Sequence, residues 1–196
     1  GTIEAIAELP KGTWHNVLTV DGYEQEIDLH AALTIAEDHI TLDFDGTSGL
    51  SNKGINVPLN YATAYSVFAL RCIIGPDIPN NTGSLAPFHV TGPKDCILNA
   101  QPPAPVAMRH TLGQMTPDLV YGCLAQVLPD KVPAEGASCM YDLPLRHVPE
   151  AVSRGDELFA LEQVFSGGTG ARPGLDGLSA TAFPSGVWGS QVEPTE

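Results

Sequence analysis

Two alternating runs between residues 27 and 44 dictate much of the architecture. Ile27-Asp28-Leu29-His30-Ala31-Ala32-Leu33-Thr34-Ile35 and His39-Ile40-Thr41-Leu42-Asp43-Phe44 both switch between apolar and polar with a period close to two. Successive side chains of an extended chain point to opposite faces, so each run buries one face and wets the other. Only Ala36-Glu37-Asp38 separates them. A connection that short joins antiparallel neighbours. Residues 2–8 alternate as well, and Trp14 to Val20 form a further apolar-rich run ending at the turn pair Asp21-Gly22. A meander of antiparallel strands is therefore expected. His30 and His39 fall on or beside these strands, where a solvent-facing imidazole is the ordinary outcome and a ligand role the alternative. Asp43 and Asp45 stand two apart; they could hold a cation or an ammonium group, or cap the turn that follows.

Helical spacing takes over from Tyr61 to Ile74. Tyr61, Tyr65, Phe68, Ala69 and Cys72 fall on one stripe, and Gly75-Pro76 marks the end. Phe88–Thr91 and Cys96–Asn99 are short strand candidates around Gly92-Pro93, before Pro102, Pro103 and Pro105 break regularity. A second helix is expected from about Gly113 to Leu128, with Leu112, Met115, Leu119, Val120, Cys123, Leu124 and Val127 inward. Pro117 fits its first turn, with Gln114 or Thr116 as the cap. Two more strands are expected over Met140–Val148 and Glu157–Phe165, and Ser179–Phe183 is a last small-residue segment. The fold class is α+β: antiparallel strands with about two core helices and long Gly/Pro-rich loops, in a single domain over residues 1–196. The chain opens on a patterned segment and closes just after another, so it is expected to be a portion of something longer.

Which chemistry such a chain can carry is limited first by charge. Nine Lys and Arg against 23 Asp and Glu give a net charge of −14. Nucleic acids and anionic membranes need clustered positive charge, so neither is an expected partner. Cys72, Cys96, Cys123 and Cys139 form no Cys-x-x-Cys pair, and Cys72 and Cys123 sit in apolar helical patterns as small core residues. The six histidines are dispersed, and no metal-ligand set is visible. No apolar run is long enough to span a bilayer, and a cytoplasmic location is the expectation.

Residues 167–177 hold five glycines, Gly167, Gly168, Gly170, Gly174 and Gly177, with Arg172 and Asp176 among them. Such a loop can expose several backbone N–H groups to one anion, with Arg172 as a bidentate partner. It can equally be a tight double turn in which Arg172 pairs with Asp176. It has neither the Gly-Lys-Ser/Thr ending of a phosphate loop nor a dinucleotide fingerprint. Arg109-His110 precedes the second helix and could reach a site near its N-terminus, or serve as a salt bridge and a surface histidine.

Taken in order, several stretches resemble the hydantoinase B family, which includes N-methylhydantoinase B subunits, the C-terminal part of 5-oxoprolinases and the acetone carboxylase alpha subunit. They are Leu42-Asp43-Phe44-Asp45-Gly46-Thr47-Ser48, Gly54-Ile55-Asn56-Val57-Pro58-Leu59 and Gly75-Pro76-Asp77-Ile78-Pro79-Asn80-Asn81-Thr82-Gly83. Pro102-Pro103 through Arg109-His110, Leu124–Pro129, Pro133–Gly136 and Gly167–Gly186 continue the match. Ala86 and Pro105 depart from it, standing where arginine and alanine are common.

The resemblance implies a B-type subunit that works with an ATP-binding hydantoinase A-type subunit of actin-like kinase fold. In the hydrolases, the pair phosphorylates a cyclic amide carbonyl and opens the ring; in the carboxylase branch, ATP drives carboxylation of a ketone. The parent complex is expected to use ATP with Mg and a divalent metal, Zn or Mn. Family members are longer, and their metal ligands lie in an N-terminal part outside this sequence, so no residue here carries over as a ligand. The leading reading is a portion of the B subunit of an ATP-dependent cyclic-amide amidohydrolase acting on a small molecule. A ketone carboxylase portion, and a non-catalytic interaction module when the chain is isolated, are the alternatives. Arg109 and Arg172 are candidates to stabilise a developing oxyanion, with Gly167, Gly168, Gly170 and Asp176 around the anion, and His110 is the candidate for proton transfer.

Overall fold

A computed structural model describes residues 1–136, 140–146 and 160–179. The chain divides into two compact units, Gly1–Pro133 and Ala134–Glu196, each taken by itself.

The first unit is built on a four-stranded sheet in the order β1 (Gly12–Val20), β2 (Ile27–Ile35), β3 (Ile40–Asp43) and β4 (Phe88–Thr91). β1–β2 and β2–β3 are antiparallel, as the alternation requires, with Leu33 opposite Leu42 and Ile35 opposite Ile40. Ile27, Leu29, Ala31, Leu33 and Ile35 are buried in strict alternation along β2. β4 joins β3 in parallel, with Ile40 opposite Phe88. That pairing needs a long crossover, and residues 44–87 supply it. The crossover carries α2 (Leu59–Ile73), which packs near β4 and against α5 (Thr116–Leu124); α5 in turn lies on β1 and β2. Asn16 donates to the Leu119 carbonyl at 3.1 Å, and Gln126 to the His15 carbonyl at 2.8 Å, tying α5 to the sheet.

Several elements differ from the sequence expectation. Residues 2–7 are a helix, α1 (Thr2–Ala7), not a strand. Six residues fit both periods, and here Thr2 and Ile6, four apart, are the buried pair. Ala and Glu favour the helix. Cys96–Asn99 is not a strand: it is a buried irregular segment held by Ile97 N–H to the Ser48 carbonyl and Val57 N–H to the Ile97 carbonyl, both 2.8 Å. The second helix is split into α4 (His110–Gly113) and α5, and Met115, not Gln114 or Thr116, precedes α5 without a side-chain cap. Pro117 does lie in its first turn, where no N–H is needed.

On α2, the buried face is Ala62, Ser66, Ala69, Leu70 and Arg71, one position round from the expected aromatic stripe. Small residues let the helix approach its neighbours closely, so the aromatics are left half-buried at its side and Cys72 is exposed. Cys123 is buried as expected, its thiol 3.7 Å from the Ala31 carbonyl. No described helix is long and apolar enough to cross a membrane.

In the second unit, β5 (Met140–Arg146) and β6 (Ala160–Ser166) form an antiparallel ribbon that leads into the glycine-rich loop. Cys139, Val148 and residues 180–183 lie outside the described residues.

Candidate functional site

The stretches that carry the family resemblance are mostly loops, and the structure shows what their polar residues hold. After β3, Asp43 accepts the Asp45 N–H at 3.1 Å, so it caps the turn. Thr47 then accepts the His30 N–H and Ser48 the Asp28 N–H, both at 2.9 Å, which continues the segment along β2. Asn56 is fully buried. Its carbonyl oxygen accepts the Ser51 N–H at 2.8 Å, and its amide faces the Ser51, Lys53 and Pro105 carbonyls, each at 2.9 Å.

Arg71 does the same for the 75–80 turn. Its guanidinium donates to the Asn80 side chain at 3.1 Å, to the Ile74 carbonyl at 2.8 Å and to the Ile78 carbonyl. Asn81 and Ser84 cap each other reciprocally at the start of α3 (Thr82–Leu85). Beside Arg71 runs an apolar groove of about 770 Å³, lined by Val67, Phe68, Cys72, Ile78 and Leu85 among others. The Cys72 thiol opens onto it. Desolvation pushes that thiol above its ordinary value, against the Tyr121 hydroxyl and Arg71, which act the other way. A raised pKa leaves it protonated near neutrality, the opposite of an activated nucleophile.

Arg109 and His110 lie where the proline-rich stretch enters α4. Arg109 is exposed and His110 half-buried. The Arg109 guanidinium lies 5.5 Å from the centre of the Tyr61 ring and, among the described residues, makes one hydrogen bond, at 3.3 Å to the Val106 carbonyl. Tyr61 stacks on Tyr65, with ring centres 4.8 Å apart, planes 17° apart and its hydroxyl donating to Tyr65 at 3.2 Å. Desolvation by burial pushes the Tyr65 phenol above its usual range. Gly113 makes room for this pair, since a Cβ there would stand 2.4 Å from the Tyr61 ring. Sequence reasoning placed Tyr61 and Tyr65 in the core. Their i, i+4 spacing was the available signal, while their approach to Arg109 is set by the fold.

The glycine-rich loop belongs to the second unit. Thr169 bridges Leu178, and Arg172 bridges Leu175 across a turn at Pro173-Gly174, with Gly174 at φ 71°. The Arg172 and Leu175 N–H groups donate to each other's carbonyls at 2.9 Å, and the Thr169 N–H to the Leu178 carbonyl at 2.8 Å. Gly170 packs so closely on Ala134 that a Cβ would stand 1.9 Å from the Ala134 carbonyl oxygen. Arg172 donates to the Asp176 backbone carbonyl at 3.3 Å. Arg172, Gly174 and Asp176 are exposed, while Gly167, Gly168 and Gly170 are partly covered. Among the described residues, no three His, Cys, Asp or Glu side chains converge as metal ligands.

Comparison with known proteins identifies relatives of the chain and of its fold. A protein of Pseudomonas sp. (strain NS671), which by its name is the B subunit of a D-/L-hydantoinase, is 27% identical over 192 residues, covering 90% of this chain and 31% of that protein. The 5-oxoprolinase 1 of Arabidopsis thaliana is 28% identical over 179 residues, 88% of this chain and 13% of that protein. The chain thus spans a third or less of the length of these relatives. The crystal structure of ATP-dependent caprolactamase from Pseudomonas jessenii shares the fold with a TM-score of 0.78 at 20% identity, over 92% of this chain and 32% of that one. The nucleotide-free structure of acetone carboxylase has a TM-score of 0.78 at 17% identity, over 100% of this chain and 28% of that one. The family model described as hydantoinase B/oxoprolinase matches residues 1–196 from end to end, and the chain belongs to that family.

Proposed function

We propose that this chain is a portion of the B-type subunit of an ATP-dependent amidohydrolase acting on small cyclic amides. The observation that carries the reading is the Pseudomonas relative named as a hydantoinase B component, which matches 90% of the chain while the chain covers 31% of that relative. A cyclic amide is a poor electrophile because its nitrogen donates into the carbonyl. Transfer of the ATP γ-phosphoryl to the carbonyl oxygen, with ADP leaving, removes that resonance. One water then adds to the carbon and the C–N bond opens, with the ring nitrogen taking a proton and an acyl phosphate remaining. A second water attacks that acyl carbon, and phosphate departs with the former carbonyl oxygen.

In this reading, the nucleotide site lies in an ATP-binding A-type partner subunit, with Mg. A divalent metal, Zn or Mn, is held outside the residues described here. This portion supplies scaffold, subunit contacts and substrate contacts. Charge develops on oxygen in both steps, so a guanidinium nearby stabilises the transition state. Arg109 and Arg172 are each a proposed donor for that role, and His110 is proposed for proton transfer. The exposure of both arginines supports it. The isolated chain is expected to be inactive.

The test is ADP release by the parent B-type polypeptide with its A-type partner, in the presence of hydantoin or 5-oxoproline. Stimulation by a cyclic amide supports the reading. Stimulation only by a ketone plus bicarbonate replaces it with the carboxylase. Arg172→Ala in the same complex should lower kcat/KM by about 100-fold, the usual order for losing one charged donor to a transition state; unchanged turnover removes Arg172 from the site.

A further inference from the structure

We propose that Tyr61, Tyr65 and Arg109 form a recognition site for the carboxylate of a small-molecule ligand, which rests on the substrate-contact reading of Arg109 above. Arg109 takes the carboxylate, Tyr65 donates to a second polar atom, and Tyr61 positions both.

The contrast with Arg71 is the first argument. Arg71 is buried, and its donors are filled by Asn80 and the Ile74 and Ile78 carbonyls. Arg109 is exposed, makes a single long bond to Val106 and pairs with no carboxylate among the described residues. It rests instead on an aromatic face, a geometry that holds the fork while leaving its in-plane N–H groups for a ligand.

The platform under it is fixed. The Tyr61 ring is packed on Gly113 and stacked on Tyr65. The Tyr61 hydroxyl donates to Tyr65. The Tyr65 oxygen serves there as acceptor, and no further hydrogen bond of its hydroxyl is found among the described residues. A hydroxyl that accepts one bond is a stronger donor in the next. The patch thus presents one fixed positive charge, one polarised O–H and an apolar ring surface. One charge matches a monoanion, and a planar fork matches a planar carboxylate. α4 is a single turn, too short to add a helix field that would favour a phosphate dianion.

The experiment is titration of the full chain, labelled with nitrogen-15, with 5-oxoproline, acetate, 2-pyrrolidinone and inorganic phosphate at constant ionic strength, reading the backbone amides of residues 109–112. We expect saturable shifts with 5-oxoproline and acetate. 2-Pyrrolidinone, which keeps the ring but lacks the carboxylate, should bind at least about 10-fold more weakly. Arg109→Gln should weaken 5-oxoproline binding by about 10-fold or more, as for loss of a charged hydrogen bond. Tyr65→Phe removes one hydroxyl and keeps the ring, and should cost about 3- to 10-fold. Absence of saturable shifts, equal binding of 2-pyrrolidinone, unchanged affinity in Arg109→Gln, or tighter binding of phosphate than of 5-oxoproline would each overturn the proposal. Turnover by the parent complex is a separate readout. Cyclic-amide turnover without carboxylate binding here sinks this site and leaves the amidohydrolase reading intact; binding without turnover does the reverse.

Discussion

Individual polar residues in this protein are occupied mainly in holding loops. Asn56 and Arg71 each satisfy backbone groups that no regular element reaches. Among the described residues Thr2 and Ser66 are the exceptions: each has a buried hydroxyl without a hydrogen-bond partner, Thr2 in α1 and Ser66 in α2. An unpaired buried hydroxyl carries its desolvation penalty, so Ser66→Ala should stabilise the fold by about 1 kcal/mol, read as a higher urea midpoint at unchanged m-value. A lower midpoint would mean that the hydroxyl is satisfied. Gly113→Ala should act the other way. The added methyl overlaps the Tyr61 ring, and overpacking of that kind costs about 1–3 kcal/mol. Thermal unfolding of Gly113→Ala, alone and combined with Tyr61→Ala, checks this, because the loss should shrink when the ring is gone. Equal losses in both backgrounds would place the strain elsewhere.

At the scale of elements, the sheet was readable because alternation over nine residues of β2 leaves no other solution. α2 and α5 were readable as helices, but the buried face of α2 was not. Large side chains dominate any reading of a stripe, whereas Ala62, Ser66 and Ala69 win here by letting backbones approach. α1 was misread because six residues do not separate a period of two from one of 3.6. Of the candidate site, Arg109 and His110 were legible as a pair before a helix, while the Tyr61–Tyr65 platform depends on which side of α2 is buried.

The contact of α5 with β2 makes stability depend on pH at the alkaline end. Burial pushes the Cys123 thiol up to about 12, from an ordinary 9.0. Burial raises Tyr65 and Tyr121 as well. Groups whose folded pKa is raised favour folding fully below their unfolded pKa. Their contribution is lost as pH climbs toward the folded value, because only the unfolded chain ionises there. Stability should hold to about pH 9 and fall between 9 and 12, Cys123 alone accounting for up to about 4 kcal/mol. Urea midpoints across that range should decline, and less steeply in Cys123→Ala. A flat profile to pH 11 would contradict the assignment.

For the molecule as a whole, the family was legible only from an ordered set of loop motifs, since composition excluded partners without naming a reaction. The structure explains why loops carry that signature: their glycines and asparagines meet specific backbone groups, as Asn56 and Gly170 do. The relatives extend well beyond this chain, so the proposed chemistry is tested with the B-type polypeptide and A-type partner that the proposal names. The most direct measurement supplies a cyclic amide labelled with oxygen-18 in the ring carbonyl, together with ATP, and analyses the phosphate by mass spectrometry. Phosphorylation of the carbonyl oxygen carries that atom away, so the expected result is one oxygen-18 in the inorganic phosphate for each ring opened. Unlabelled phosphate accompanying ring opening, or ADP formed only with a ketone and bicarbonate, would contradict the amidohydrolase reading.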